Sequence, residues 1–199
     1  MIEYDQYFKY FVKGMGYKSC WMVIEGSSQQ EIADILLQKD TEHCTYQAGL
    51  DKLDQADYGN QAAFVTADFQ HTNFVIGISL SVFFDEQDKR IPILKPFPKV
   101  YLYLTHRVSE CHGFAVLEYG EIKRFYYYNE DGIRDIGEPL SIENSLGFHL
   151  PKDDDELWES DDITVPEEDI IIALAAEQTG VDAANYPYEN VIAGKLASF

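Results

Sequence analysis

Basic residues are scarce in this chain. Fifteen lysines and arginines stand against 35 aspartates and glutamates among 199 residues, a formal charge of −20. A nucleic-acid binder needs a basic patch to meet a polyanion. None is visible, because Lys89-Arg90 and Lys123-Arg124 are the only adjacent basic pairs. An anionic membrane surface is disfavoured for the same reason. Cysteine is also sparse: Cys20, Cys44 and Cys111 are odd in number and form no C-x-x-C pair. Free thiols in a reducing cytoplasm are the expectation, with neither zinc nor redox work.

Long apolar runs are missing too. The longest, Ile170 to Ala176, is far too short to span a bilayer. The start, Met1-Ile2-Glu3-Tyr4-Asp5, has no basic n-region and no apolar core, so no secretory signal is expected. No Pro/Gly/Ser linker and no internal repeat divides the chain. We therefore expect one domain over residues 1–199, with a helical extension at 1–18 and an acidic segment with a final helix at 153–199. Phosphate-binding glycine loops, G-x-S-x-G and H-E-x-x-H are all absent, which lowers an enzyme reading without excluding it.

What is present suffices for a core: 46% of residues are hydrophobic and 14% aromatic. Tyr4, Tyr7, Phe8 and Phe11 fall on one helical face that Gly14 terminates. Core packing is the simplest use of that face, and it leaves a homodimer contact open. Cys20 to Glu25 reads as a strand. Ser28-x-x-Glu31 is a capping box for a helix burying Ile32, Ile35 and Leu36, and residues 46–55 are a weaker helix candidate. Ala62 to Ala67 and Phe74 to Phe84 read as strands, and Pro96 and Pro98 exclude a central strand between them and the next run. Val100 to Ser109, Gly113 to Tyr119 and Glu121 to Tyr128 then form a meander with turns at Tyr119-Gly120 and Asn129-Glu130-Asp131-Gly132. Thr164-x-x-Glu167, with Pro166 in the first turn, predicts a final helix ended by Gly180. Glu167, Glu168 and Asp169 suit the positive end of its dipole. The expected class is α+β: a mainly antiparallel meander sheet, with N-terminal helices and a C-terminal helix packed on it.

Three constellations bear on chemistry. His106, Glu110 and His112 share one face of a continuous strand and are the candidate catalytic residues if the protein is a metal-dependent enzyme. Glu110 and His112 would stand about 7 Å apart, but His106 and Glu110 about 13 Å, too far for one metal without a bulge. A hydrogen-bonded polar cluster is the favoured reading, so no catalytic residue, metal or cofactor is assigned. Cys111 and His112 are adjacent and point to opposite faces, so a thiol–imidazole dyad would need another histidine: His43, His71, His106 or His149. Arg107 falls inside an apolar strand, and burial there would demand a partner such as Glu110, Glu118 or Glu121.

The segment Thr105-His106-Arg107-Val108-Ser109-Glu110-Cys111-His112 resembles an uncharacterised bacterial family with a T-H-R-V-x-E-x-H motif leading into an aromatic strand. Trp21 to Leu37, Phe64 to Gly77, and Leu146-Gly147-Phe148 with the following acids and Pro166-Glu167-Glu168 are similar to its other parts. The likeness spans residues 20–182. The chain departs from the pattern at Cys111 (tyrosine in the family), Phe114 (tryptophan) and Glu177-Gln178-Thr179 (a Trp-Ser pair). The resemblance implies no catalytic residue, and it implies an association with toxin–immunity systems.

Between residues 153 and 194 there are thirteen acids and no lysine or arginine. Asp153, Asp154, Asp155, Glu156, Asp161 and Asp162 lack the D-x-D-x-D-G spacing of a calcium loop. With Trp158 among them they form the expected partner-binding surface, carboxylates for steering and an indole as anchor. The leading expectation is a cytoplasmic, non-enzymatic binding module of immunity type for a basic protein partner. The alternatives are the metal-dependent enzyme on the His/Glu cluster and an acidic nucleic-acid mimic.

Overall fold

Strands form where β-branched and aromatic residues run together, and a computed structural model describes residues 18–55, 61–69, 71–155, 164, 167–180 and 190–197. In chain order come β1 (Lys18–Glu25), α1 (Gln29–Leu36), β2 (Glu42–Thr45), α2 (Tyr46–Gln55), β3 (Ala62–Thr66) and β4 (Thr72–Ile76). A helical stretch follows: a 3₁₀ turn at Ile78–Ser81, α3 (Val82–Asp85), α4 (Gln87–Arg90) and a second 3₁₀ turn at Ile91–Leu94. The rest is β5 (Lys99–His106), β6 (Cys111–Glu118), β7 (Glu121–Asn129), β8 (Gly132–Ile136), α5 (Ser141–Ser145), α6 (Glu168–Thr179) and β9 (Asn190–Lys195). The nine strands make one sheet in the order β2-β9-β3-β4-β1-β5-β6-β7-β8, with every pairing antiparallel. The class is α+β, and β5 to β7 are the expected meander, which β8 extends. Among the described residues no helix is long and apolar enough to cross a membrane.

Both faces of the sheet are covered, so its central strands are apolar on both sides rather than alternating with polar residues. On one face Trp21, Tyr103, Phe114 and Tyr126 pack with Ile170 and Leu174 of α6. On the other, Met22, Leu102, Ala115 and Phe125 pack with Ile32 and Leu36 of α1 and with Phe83 and Phe84 of α3. A helix packed between a sheet and another helix can be apolar on most of its sides, and α6 lies between β5–β6 and α5. In α6, Ile170, Ile171, Ile172, Ala173, Leu174 and Ala176 are all buried. The Tyr103 hydroxyl donates to Gln178 Oε1 at 2.7 Å and ties the end of α6 to β5.

Local chemistry sets the boundaries. The Ser28 hydroxyl and Glu31 form the reciprocal capping box of α1, and burial pulls in Ala33 where Ile35 had been expected. Tyr119 (φ 50) and Gly120 (φ 74) make the tight β6–β7 turn, whose left-handed pair suits the twist of a hairpin. Gly180, at φ 60, stops α6.

Four expectations are corrected. The run Phe74 to Phe84 is strand only to Ile76. At Gly77 it leaves the sheet, where an added Cβ would lie 2.6 Å from the Ala62 carbonyl oxygen, and the remainder is helical. The strand from Val100 ends at His106, and residues 107–110 turn the chain. Thr164 does not cap α6, which begins at Glu168. It bonds to residue 149 instead: its amide donates to the His149 carbonyl (2.8 Å), and its hydroxyl accepts from the His149 amide (3.0 Å). Three strands had not been anticipated: β2, β8 and β9, the last of which lies between β2 and β3. The aromatic helix of Tyr4 to Phe11, and Pro166, lie outside the described residues.

Candidate functional site at the turn end of the sheet

The loop Arg107–Glu110 joins β5 to β6 at one end of the sheet, beside the turn that joins β7 to β8. The suspected His/Glu cluster sits here, but not on one strand. His106 pairs across the hairpin with Cys111, and Thr105 pairs with His112. Period-two alternation then sends the two histidines to different sides. His106 lines a cavity with Cys111, whereas His112 and Glu110 line a hollow beneath the start of α6. Among the described residues, no three His, Cys, Asp or Glu side chains converge as metal ligands would.

Each member of the cluster has a local role. The Ser109 amide donates to the carbonyl oxygen of His106 and to its Nδ1, both at 3.1 Å, which closes the turn. Glu110 holds the left-handed backbone (φ 49) that reverses the chain. His112 is buried, with Nδ1 3.1 Å from the Thr105 hydroxyl. Burial, helped by the charge of His106, lowers its pKa to about 4, so it is neutral at physiological pH.

Arg107 is not the buried arginine that its apolar neighbours suggested. Its side chain is 57% exposed in the loop. Its partner is none of Glu110, Glu118 and Glu121 but Glu168, held by Nε and Nη2, each at 3.2 Å. Glu168 opens α6, where the helix dipole already favours a carboxylate. The pair fastens the hairpin loop to the helix. The buried arginine is instead Arg124 on β7, half of the Lys123-Arg124 pair. Glu143 grips it at Nε (3.0 Å) and Nη2 (3.1 Å), and Asp135 and the Gly137 carbonyl take Nη1. Burial works to lower its pKa, but Glu143 and Asp135 outweigh that and raise it.

Cys111 and His106 face the same cavity, so the sheet does supply a histidine on the thiol's own side. The thiol is not primed as a nucleophile, however. Its Sγ lies 3.5 Å from the Ser109 carbonyl, to which it donates. Burial raises its pKa, the neighbouring Tyr127 hydroxyl lowers it, and the negative charges of Asp85, Glu130 and Asp131 raise it further.

The cavity has a volume of about 680 Å³. Ile78, Val82 and Leu104 line it, and Val108, 73% exposed, forms its lip. Asp85, Glu130 and Asp131 supply its charge, and no lysine or arginine of the described residues lines it. Sequence reading found the Asn129–Gly132 turn but not its neighbour Asp85, which the helical stretch after Gly77 brings alongside. The Tyr127 hydroxyl donates to Asp85 at 2.8 Å and holds it in place.

Of the expected partner-binding residues, Asp153, Asp154 and Asp155 are exposed. Asp154 lies beside Gly132, so the acidic segment starts next to the same turn. Glu156, Trp158, Asp161 and Asp162 lie outside the described residues. Where the chain departs from the bacterial pattern, Phe114 is fully buried and stacks on Tyr126 with ring centres 6.0 Å apart, and Gln178 accepts the Tyr103 bond. Comparison of the chain with protein-family models, curated proteins and solved structures finds no match to any of them.

Proposed function

We propose that this chain is a non-enzymatic binding module of immunity type whose partner is a basic protein. The observation that carries the reading is the acidity of the turn end. Glu130 and Asp131 are exposed and make no ion pair among the described residues, and Asp153 to Asp155 begin the acidic segment close by. Like charges gathered this closely repel one another, and a basic surface would relieve that repulsion. The formal charge of −20 adds long-range steering. The likeness to the bacterial family with the T-H-R-V-x-E-x-H motif belongs to the same proposal. Cytoplasmic residence goes with it.

The metal-dependent enzyme is weaker on these grounds, because His112 is engaged with Thr105 and lies across the sheet from His106. The test is to purify the tagged protein from the organism that encodes it and identify what stays bound at low salt. A stoichiometric basic protein, released by raising salt and lost from a variant with Asp153, Asp154, Asp155, Glu130 and Asp131 neutralised, is the expected result. A partner that is acidic, or retained regardless of salt and of those substitutions, would overturn the reading.

A further inference from the structure

Two acid-lined recesses flank the β5–β6 loop, and the chain treats them differently. In the recess beneath α6, lined by Glu110, Glu167, Glu168 and Asp169, the protein inserts its own arginine, Arg107. The cavity opposite carries Asp85, Glu130 and Asp131 and, among the described residues, receives no such side chain. A neighbouring cation, Arg134, lies over the Tyr127 ring at 4.7 Å and lines an adjoining hollow with Asp85 and Asp131. Among the described residues, that one cation against three carboxylates leaves the cavity negative. A third hollow, near β2 and β9, has Lys52 and Lys195 against Asp40 and Glu42 and is balanced.

Resting on the reading of a basic partner, we propose that this cavity is a socket for one long basic side chain, arginine or lysine, of that partner. The lining suits both halves of such a side chain. Methylenes bury along Ile78, Val82 and the exposed Val108, and the charged head reaches the carboxylates of Glu130 and Asp131 at the mouth. At about 680 Å³ the cavity falls within the range of about 300–1,000 Å³ usual for ligand pockets, so it admits the side chain with part of its backbone. Charge complementarity selects the basic residue, and the apolar lip rewards an apolar neighbour beside it. Val108, 73% exposed at the tip of the hairpin and on the cavity lining, is available for such a contact.

The test uses the full chain, labelled with ¹⁵N, and Nα-acetyl-arginine amide as probe, with Nα-acetyl-norleucine amide as its uncharged counterpart. Saturable millimolar shifts of amides in 78–85, 108–111 and 129–131 are expected with the arginine probe and not with norleucine. Glu130→Gln with Asp131→Asn should weaken binding about tenfold. Both residues are exposed in a turn, so this variant should fold, which its own spectrum checks. Val108→Ser should weaken it less. No saturable shift, shifts centred on Asp153–Asp155, or an affinity indifferent to the double substitution would overturn the socket. The two readings fail separately. A co-purified basic partner kept by the Glu130/Asp131 variant but released when Asp153, Asp154 and Asp155 are neutralised would sink the socket alone. A partner that is not basic would sink the broader reading.

Discussion

The β7–β8 side of the sheet and its turn end both pair arginine with glutamate, with opposite consequences. On β7, Arg124 is 1% exposed, and two carboxylates and a carbonyl close around it, with the Phe114 and Tyr126 rings within 6 Å of its guanidinium. Glu143 also accepts the Leu140 amide at 2.7 Å, so one carboxylate fixes both the strand and the start of α5. At the turn end Arg107 has a bidentate partner but stands mostly in water, and close by Glu130 and Asp131 make no ion pair among the described residues. Charge is consumed internally in one region and left available in the other. Enclosure, rather than the number of bonds, decides which arginine the fold depends on.

Breaking the enclosed region should have the largest effect. Arg124→Met strands Glu143 and Asp135, which are 3% and 13% exposed, and should cost about 3–5 kcal/mol in urea unfolding. A cost below about 1 kcal/mol would show that the network carries no such weight. His112 sharpens the comparison through pH. Its folded pKa of about 4 lies below the ordinary 6.5, so between those values the unfolded chain binds a proton that the folded chain refuses. Its contribution is complete above pH 6.5 and is lost as pH falls toward 4, by up to about 3 kcal/mol. Unfolding measured at pH 7 and pH 5 should show a smaller loss in His112→Asn than in the parent. Equal losses would place the acid sensitivity elsewhere.

Arg107→Ala should cost about 1 kcal/mol, because an ion pair with one partner more than half exposed is screened by water. A loss as large as that of Arg124→Met would erase the contrast between the two sites. The smallest effect concerns the Tyr126 hydroxyl, which is buried with no hydrogen-bond partner among the described residues. Tyr126→Phe removes that orphan and should be neutral or stabilising by up to about 1 kcal/mol in thermal unfolding. A marked loss would mean that the hydroxyl has a partner after all.

Much of the fold was legible because its signals are local. The Ser28/Glu31 box, the Tyr119-Gly120 turn, Gly180 and the β-branched strands each state their structure within a few residues. The helical stretch after Gly77 was not, since a short apolar run fits a buried helix as well as a strand. What settles it is the Ala62 carbonyl, on another strand. β2 is only four residues long and largely exposed, and Val191–Lys195 follows an acidic segment, so neither stood out. At the site, sequence adjacency separated Cys111 from His112 correctly. It could not show that His106 and His112 part company at a turn, nor that Asp85 joins Glu130 and Asp131. The exposure of Arg107 and the burial of Arg124 were hidden for the same reason. Alternation gives the face of a strand, but the partners Glu168, Asp135 and Glu143 come from elements that only the fold brings near.

The place of β9 has a consequence for the order of synthesis. β2 has no neighbour in the sheet except β9, and β3 has β9 along one of its edges. While the chain emerges from a ribosome, β4, β1 and the β5–β8 meander can zip together as each appears. The β2–β3 corner must wait for Asn190–Lys195, with the edge of β3 open until then. Nascent chains of this protein should therefore be prone to mispairing in the interval after β8 has emerged and before β9 has.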